Sequence, residues 1–226
     1  MYHSLDVTKI ALTIERLERR ILERFPDSGL LQVSHELHII AEERASRTEF
    51  IVKPQMLLRC VVAIVLIAAL TLFLYGASQI NLSERTLQLE EWVTLSDAAL
   101  NTLVLIGAAV FFLLTVESRI KRRRALESLH QLQSIAHVID MHQLTKDPDS
   151  LETEFSTPAS PVRNMTPFEL NRYLDYCSEL LALTGKLAAV FGQSLNDPEV
   201  IASANAIELL TTNLARKVWQ KIRTLH

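Results

Sequence analysis

The sequence is poor in residue types that several classes of protein need. Its 226 residues include only two Cys, five Gly and seven Pro. Two Cys cannot form a disulfide framework, and so few Gly and Pro exclude a turn-dense β-sandwich. The 23 Lys and Arg do not outnumber the 26 Asp and Glu, so a strongly basic protein that wraps nucleic acid is also excluded.

Motifs for common chemistry are missing as well. The chain has no Gly-rich phosphate loop, no G-x-S-x-G and no H-E-x-x-H, which are the short signatures of nucleotide binding, serine hydrolysis and zinc proteolysis. Neither of its two long apolar runs contains a His, which excludes a membrane haem held by two imidazoles. The sequence therefore predicts a protein that is not an enzyme and holds no cofactor.

The two apolar runs are its strongest positive signal. Residues 57–77 contain one charged side chain, Arg59, and residues 98–116 contain none. At about 1.5 Å per residue, either run covers roughly the 30 Å hydrocarbon core of a bilayer as a helix. Helices of soluble proteins rarely stay apolar on every side over this length. Both runs are predicted to span a membrane, joined by a short outer loop at 78–97.

Charge on either side of the runs predicts their orientation. The loop carries one basic residue, Arg85, whereas a basic cluster follows the second run: Arg119, Lys121, Arg122, Arg123 and Arg124. Positive charge is retained on the cytoplasmic side, which predicts a multi-pass protein of the cell inner (plasma) membrane with both termini in the cytoplasm. The basic cluster is predicted to bind anionic lipid headgroups. With 13 basic and 13 acidic residues from 117 to 226, no nucleic-acid partner is predicted.

The fold class predicted is all-α: an integral membrane protein with a two-helix transmembrane hairpin and a cytoplasmic helical bundle or coiled-coil segments. Five segments follow from the pattern. They are a cytoplasmic helical pair (1–54), the transmembrane hairpin (55–118), a cytoplasmic extension of the second transmembrane helix (119–145), a flexible acidic linker rich in Pro, Ser and Thr (146–166), and a C-terminal helical hairpin (167–226).

Apolar spacing and start signals support the cytoplasmic helices. Apolar residues from Val7 to Ile21 recur every three or four positions, and the run from Phe25 to Gly29 interrupts them. Thr166-Pro167-Phe168-Glu169 has the form of a capping box with Pro at the first helical position. A strict heptad pattern follows, from Leu170 to Phe191, as in helices that pack along a common seam.

Small side chains share a second face of this helix. Ala182, Gly185, Ala189 and Gly192 are predicted to let another helix approach closely. Packing inside one chain, against the helix at 117–144, is the favoured explanation of the apolar faces, and self-association between subunits is the alternative.

One cluster resembles a metal site without meeting its requirements. His35-Glu36-Leu37-His38 is one residue shorter than H-E-x-x-H, so Glu36 points about 100° away from His35. His35, His38 and Glu42 can share a helix face and are weak zinc candidates. A solvated polar face opposite Leu37 is the favoured interpretation, and no metal is predicted.

Together these features predict a non-enzymatic, membrane-anchored scaffold or adaptor. Its cytoplasmic heptads would bind copies of the same chain, forming a homo-oligomer, or a cytoplasmic protein partner, while membrane lipid surrounds the spans. The alternative is an oligomeric cation-conducting pore or membrane effector lined by the second transmembrane helix. In that arrangement Glu90, Glu91 and Asp97 would form acidic rings at the pore mouth.

Overall fold

A computed structural model describes residues 5–52, 60, 63–71, 75, 89–146 and 165–225; for residues 44, 46–52, 89–92, 94, 95 and 98 it describes the backbone alone. Within these ranges every regular element is a helix and no strand occurs, which confirms the all-α prediction. The helices are α1 (Val7–Arg24), α2 (Gly29–Val52), α3 (Leu89–Leu144), α4 (Pro167–Ser194) and α5 (Pro198–Thr224). Residues 63–71 are also helical.

The chain divides into two compact units. One contains Met1–Val52 and Arg122–His226, and the other contains Lys53–Lys121. Helix α3 contributes its C-terminal part to the first unit and its apolar N-terminal part to the second.

The first unit is a helical bundle with one continuous apolar core. Helix α1 buries its predicted stripe, including Ile14, and α2 buries Leu37 against the same core. Five helices contribute to the core, and α3 adds a heptad-spaced set: Ala125, Leu129, Leu132, Ile135, Ala136 and Ile139. Helices α4 and α5 form an antiparallel hairpin, and both contribute fully buried residues to the core, such as Leu181 and Val218. The expected packing of the 117–144 helix within its own chain is therefore observed.

Side-chain caps fix where three of these helices begin. Asp6 accepts from the backbone N–H groups of Thr8 and Lys9 at the start of α1. Thr166 and Glu169 form the predicted reciprocal capping box of α4. Asp197 accepts from two backbone N–H groups at the start of α5. Such caps satisfy donors that the helix itself leaves unpaired.

Hydrogen bonds attach both ends of the bundle part of α3 to α5. Near the start of this part, Arg122 Nε donates to Asp197 Oδ2 over 2.7 Å. At the C-terminal end of α3, Lys221 Nζ donates to the carbonyl oxygen of Gln143 over 3.0 Å. Gly29 lies so close to His142 that an added Cβ would stand 2.3 Å from its Cε1 atom. A larger residue at the start of α2 would therefore displace the His142 ring from this position.

Among the described residues, one helix is long and apolar enough to cross a membrane, judged by length and composition. Within Ala99–Leu144, its most apolar 18-residue window has a mean hydropathy of 2.3 and is 0% buried. Residues 89–97, predicted as part of a loop, already belong to α3; they contain no Gly or Pro to interrupt a helix. Within the first predicted span, residues 57–59, 61, 62, 72–74, 76 and 77 lie outside the described residues, as do residues 147–164 of the predicted linker.

Candidate functional site

A groove opens on the bundle between the N-terminal half of α1 and the C-terminal half of α2. Its volume is about 520 Å³. We call it the acidic groove and define it by its lining residues: Thr8, Ala11, Leu12, Glu15, His38, Ile39, Glu42, Glu43 and Ala45. Helices α1 and α2 are antiparallel and joined by a short turn. The start of α1 therefore lies beside the end of α2, and both line the acidic groove.

The acidic groove combines apolar surface with negative charge. Leu12 and Ile39 are 47% and 44% exposed, which is high for large aliphatic side chains in a packed bundle. Glu15, Glu42 and Glu43 supply three carboxyl groups. Glu15 pairs with Arg19 one turn further along α1 at 2.7 Å, an exposed contact that stabilises little and leaves the carboxylate accessible to other cations.

A carboxylate held by two imidazoles lies beside this groove. Glu18 Oε1 is 2.7 Å from His35 Nδ1, and Glu18 Oε2 is 2.6 Å from His38 Nδ1. An ionised carboxylate only accepts hydrogen bonds, so both imidazoles donate from Nδ1. Side-chain exposure is 18% for both Glu18 and His38 and 61% for His35. The cluster thus ties α1 to α2 with charge-assisted bonds that are partly shielded from water.

The structure places the weak zinc candidates in this cluster, with a different partner from the one expected. His35 and His38 share a face, but Glu18 occupies both Nδ1 atoms, and Glu42 Oε1 is 3.6 Å from His38 Nε2. Among the described residues, no group of three or more His, Cys, Asp or Glu side chains is arranged to hold a metal ion. The face is less solvated than the sequence suggested, because Glu18 covers His38.

Glu18 was missed because it lies on the other helix of the hairpin. Sequence reasoning could find it by pairing residues that lie equally far before and after the α1–α2 turn, which is centred on Pro26 and Asp27. Residues whose numbers sum to about 53 lie at the same level of such a hairpin, and Glu18 with His35 fulfils this relation. So do Glu15 with His38 and Thr8 with Ala45, which both line the acidic groove.

Two of the four small residues of α4, Gly185 and Gly192, lie against α5 of the same chain. A Cβ on Gly185 would stand 2.6 Å from Thr211 Oγ1, and one on Gly192 would stand 3.4 Å from the Cβ of Ala204. Ala189 is half-buried and Ala182 is exposed. Ala182 and Gly185 also line a second groove, of about 300 Å³, between α4 and α5. From α5, the groove is lined by residues that include Thr212, Arg216 and Trp219. Trp219 is 55% exposed.

Ion pairs within the chain engage three members of the basic cluster. Lys121 Nζ donates to Glu117 over 2.7 Å, and Arg123 Nε to Glu127 over 3.0 Å. Arg122 binds Asp197 at 2.7 Å and Glu199 at 3.4 Å. Arg119 and Arg124 are exposed. The cluster therefore presents less uncompensated charge than its five basic residues suggest.

Asp197 is held ionised at the start of α5. Desolvation acts to raise the pKa of its carboxyl, but the hydrogen bond from Arg122 and those from the Val200 and Glu199 backbone N–H groups outweigh it, so the pKa lies below its usual value. Asp197 thereby caps α5 and binds α3 with the same carboxylate.

Burial shifts the pKa of three side chains in the bundle: Cys177, Tyr173 and His142. Burial raises the pKa of the Cys177 thiol to about 12, so the thiolate that reacts with electrophiles is absent near neutral pH. Burial also raises the pKa of Tyr173. For His142, burial first and the nearby Lys146 second hold the pKa below its usual value.

The predicted pore mouth is described only in part. Asp97 is exposed near the start of α3, and Asn101 Nδ2 donates to its Oδ2 atom over 3.4 Å. The side chains of Glu90 and Glu91 lie outside the described residues.

Comparison of the chain with protein-family models, with curated proteins and with solved structures finds no match.

Proposed function

We propose that this protein is a non-enzymatic scaffold of the cell inner membrane, anchored by two transmembrane helices with both chain ends in the cytoplasm. Its helical bundle would assemble with further copies or with a cytoplasmic partner. The observation that carries the proposal is the composition of α3, which is apolar with no buried side chain over residues 99–116 and then contributes a buried stripe to the bundle core.

Exposure along α3 supports the membrane anchor. Leu105, Phe111 and Phe112 are 71%, 74% and 67% exposed. At about 25 cal/mol per Å², leaving many such side chains in water costs far more than one surface residue does. Surrounding lipid removes that cost.

A seam of half-buried residues supports a second helix beside the first. Six of them follow one another at spacings of three and four: Ala99, Thr102, Ile106, Ala109, Leu113 and Val116. Val110 and Thr115, which are also half-buried, lie directly beside this seam. That spacing is typical of a helix packed against another helix. Leu66 and Ala69, three apart on the helical segment 63–71, are half-buried as well. Both observations favour pairing of the two predicted spans.

Basic residues at the end of the apolar stretch support the proposed orientation. Arg119 and Arg124 are exposed directly after residues 99–116, where positive side chains are retained on the cytoplasmic side and attract anionic headgroups. The bundle would then lie in the cytoplasm with its grooves accessible to soluble proteins.

Membrane extraction and ion flux together test this proposal. The protein should remain in the membrane pellet after alkaline carbonate washing and dissolve only in detergent, because lipid-embedded helices are not released by loss of surface charge contacts. Release by carbonate would contradict the anchor.

The purified protein in liposomes should pass no cations, and Asp97→Asn should change nothing. Flux that falls in Asp97→Asn would favour the pore instead, because an acidic ring at the mouth attracts cations.

A further inference from the structure

We propose that the acidic groove is the docking site for α5 of a second copy of the same chain. The surface that docks is a stripe on the exposed side of α5, which we call the basic stripe: Leu209, Thr212, Arg216, Trp219 and Arg223. Three of its residues, Thr212, Arg216 and Trp219, also line the open groove between α4 and α5. This inference rests on the proposed self-assembly and names the two surfaces that meet.

The basic stripe is a second face of α5, separate from the face in the core. Its members follow one another at spacings of three, four, three and four residues, and all are exposed. At 100° per residue they lie about 140° around the helix from the buried set that includes Ile207 and Val218. Helix α5 therefore carries one heptad seam inside the bundle and another outside it.

The composition of the basic stripe is that of a docking helix. Leu209 and Trp219 are 64% and 55% exposed, and Arg216 and Arg223 stand on either side of the Trp. Beyond Glu208, the described part of α5 contains no acidic residue. Trp and Arg are the residue types that most often dominate binding energy at protein interfaces.

The acidic groove has the complementary form. It extends over two turns of each helix, from Thr8 to Glu15 and from His38 to Ala45, which is about 10 Å of helix length. The stretch from Arg216 to Arg223 has the same length. An amphipathic helix that lies between two others places its anchors at such i, i+3 and i+4 positions.

Charge and polarity match in the same way. Leu12 and Ile39 offer apolar contact for Trp219, whereas Glu15 and Glu42 offer carboxylates to the flanking Arg side chains. Arg with carboxylate forms the strongest of the common ion pairs because its planar guanidinium donates two parallel hydrogen bonds.

Because the two surfaces lie on different helices of one chain, the contact is head to tail. Each copy offers one groove and one stripe, so binding of a second copy leaves a groove and a stripe available for a third. Head-to-tail contacts of this kind either close into a ring or continue as a filament. Either assembly would give a membrane scaffold built from one kind of subunit.

Charge reversal in the whole protein tests the proposal. Glu15→Arg with Glu42→Arg gives a groove variant, and Arg216→Glu with Arg223→Glu gives a stripe variant. Each is reconstituted in nanodiscs or micelles without anionic lipid, and its mass is measured by sedimentation over a range of concentrations. Neither variant should assemble alone, whereas an equal mixture should, since the reversed groove then meets the reversed stripe and the native surfaces meet each other.

A matched control changes charge on the same helices outside the groove. Glu23→Arg with Glu36→Arg should assemble like the unchanged protein. Trp219→Ser should weaken assembly at least tenfold, whereas Leu22→Ser, which removes a 49% exposed side chain of α1 outside the groove, should not.

The outcomes separate the inference from the proposed function. If both reversed variants still assemble, or if the mixture fails to restore assembly, the docking of α5 in the acidic groove is overturned. Self-assembly of the unchanged protein would still stand. An unchanged protein that stays monomeric overturns self-assembly and the inference together, but not the membrane anchor. Loss of binding to anionic vesicles in the stripe variant, with subunit mass unaltered, would assign the stripe to lipid and overturn the inference.

Discussion

Replacing Gly185 with Ala tests how tightly the α4–α5 hairpin is packed. The new Cβ would stand 2.6 Å from Thr211 Oγ1, closer than nonbonded atoms approach. Thr211 is 3% exposed, and its hydroxyl donates to the carbonyl oxygens of Ile207 and Glu208 over 2.9 and 3.1 Å. The side chain therefore cannot move without losing these bonds or displacing a helix.

The expected size follows from two opposing effects. An extra methyl group in a well-packed core costs about 1–3 kcal/mol, and replacing Gly by Ala inside a helix returns about 0.5–1 kcal/mol. The free energy of unfolding should fall by about 1–2 kcal/mol. For a unit of this size the midpoint temperature should fall by roughly 2–8 °C, measured as the loss of helical circular dichroism in detergent.

Gly192 provides the matched control on the same helix. Its Cβ would meet the Cβ of Ala204 at 3.4 Å, close to an ordinary contact, so Gly192→Ala should leave the midpoint unchanged or raise it slightly. Adding Thr211→Ala to Gly185→Ala should restore most of the lost stability, because the clashing hydroxyl is removed. Equal stability of the two single variants, or no recovery in the double variant, would refute this packing.

Three further predictions concern the bundle. Since its folded-state pKa is lowered, His142 should reduce stability as pH falls below about 6.5, and the midpoint of His142→Asn should depend less on pH; an equal pH dependence would contradict this. A water-soluble maleimide at neutral pH should leave Cys177, which is 0% exposed, unmodified until the bundle unfolds, as mass spectrometry would show. Leu129→Ala should cost about 2–5 kcal/mol in denaturant unfolding, whereas Leu144→Ala, at a position 61% exposed, should cost less than about 0.5 kcal/mol.

Local signals in the sequence predicted the helices of the bundle well. The capping box at Thr166 and Glu169 and the heptad from Leu170 to Phe191 depend on residues within a few turns of one another, and their geometry is fixed by the helix itself. The structure has both. For the same reason Val7 to Ile21 could be assigned to one buried face.

Contacts between helices were beyond such local patterns. The hydrogen bond that His35 donates to Glu18 depends on how α1 and α2 are aligned along their length, and the turn around Pro26 sets that alignment. Arg122 and Asp197 form an ion pair although they are 75 positions apart in the sequence. The basic cluster was predicted to contact lipid, but its member Arg122 also holds the start of α5 against α3. Residues 89–97 were predicted to be a loop because their side chains are polar and the apolar run begins only at residue 98. The segment has no Pro to interrupt helical hydrogen bonding, and it is helical.

The topology of the chain in cells tests the central claim most directly. A reporter that is active only in the cytoplasm is fused to each end of the chain, and an enzyme active only outside the cytoplasm is inserted between residues 78 and 88. Two apolar spans with retained positive charge predict that both end fusions and the inserted enzyme are active. An inactive fusion at one end, with the other active, would place the ends on opposite sides and contradict the two-span scaffold.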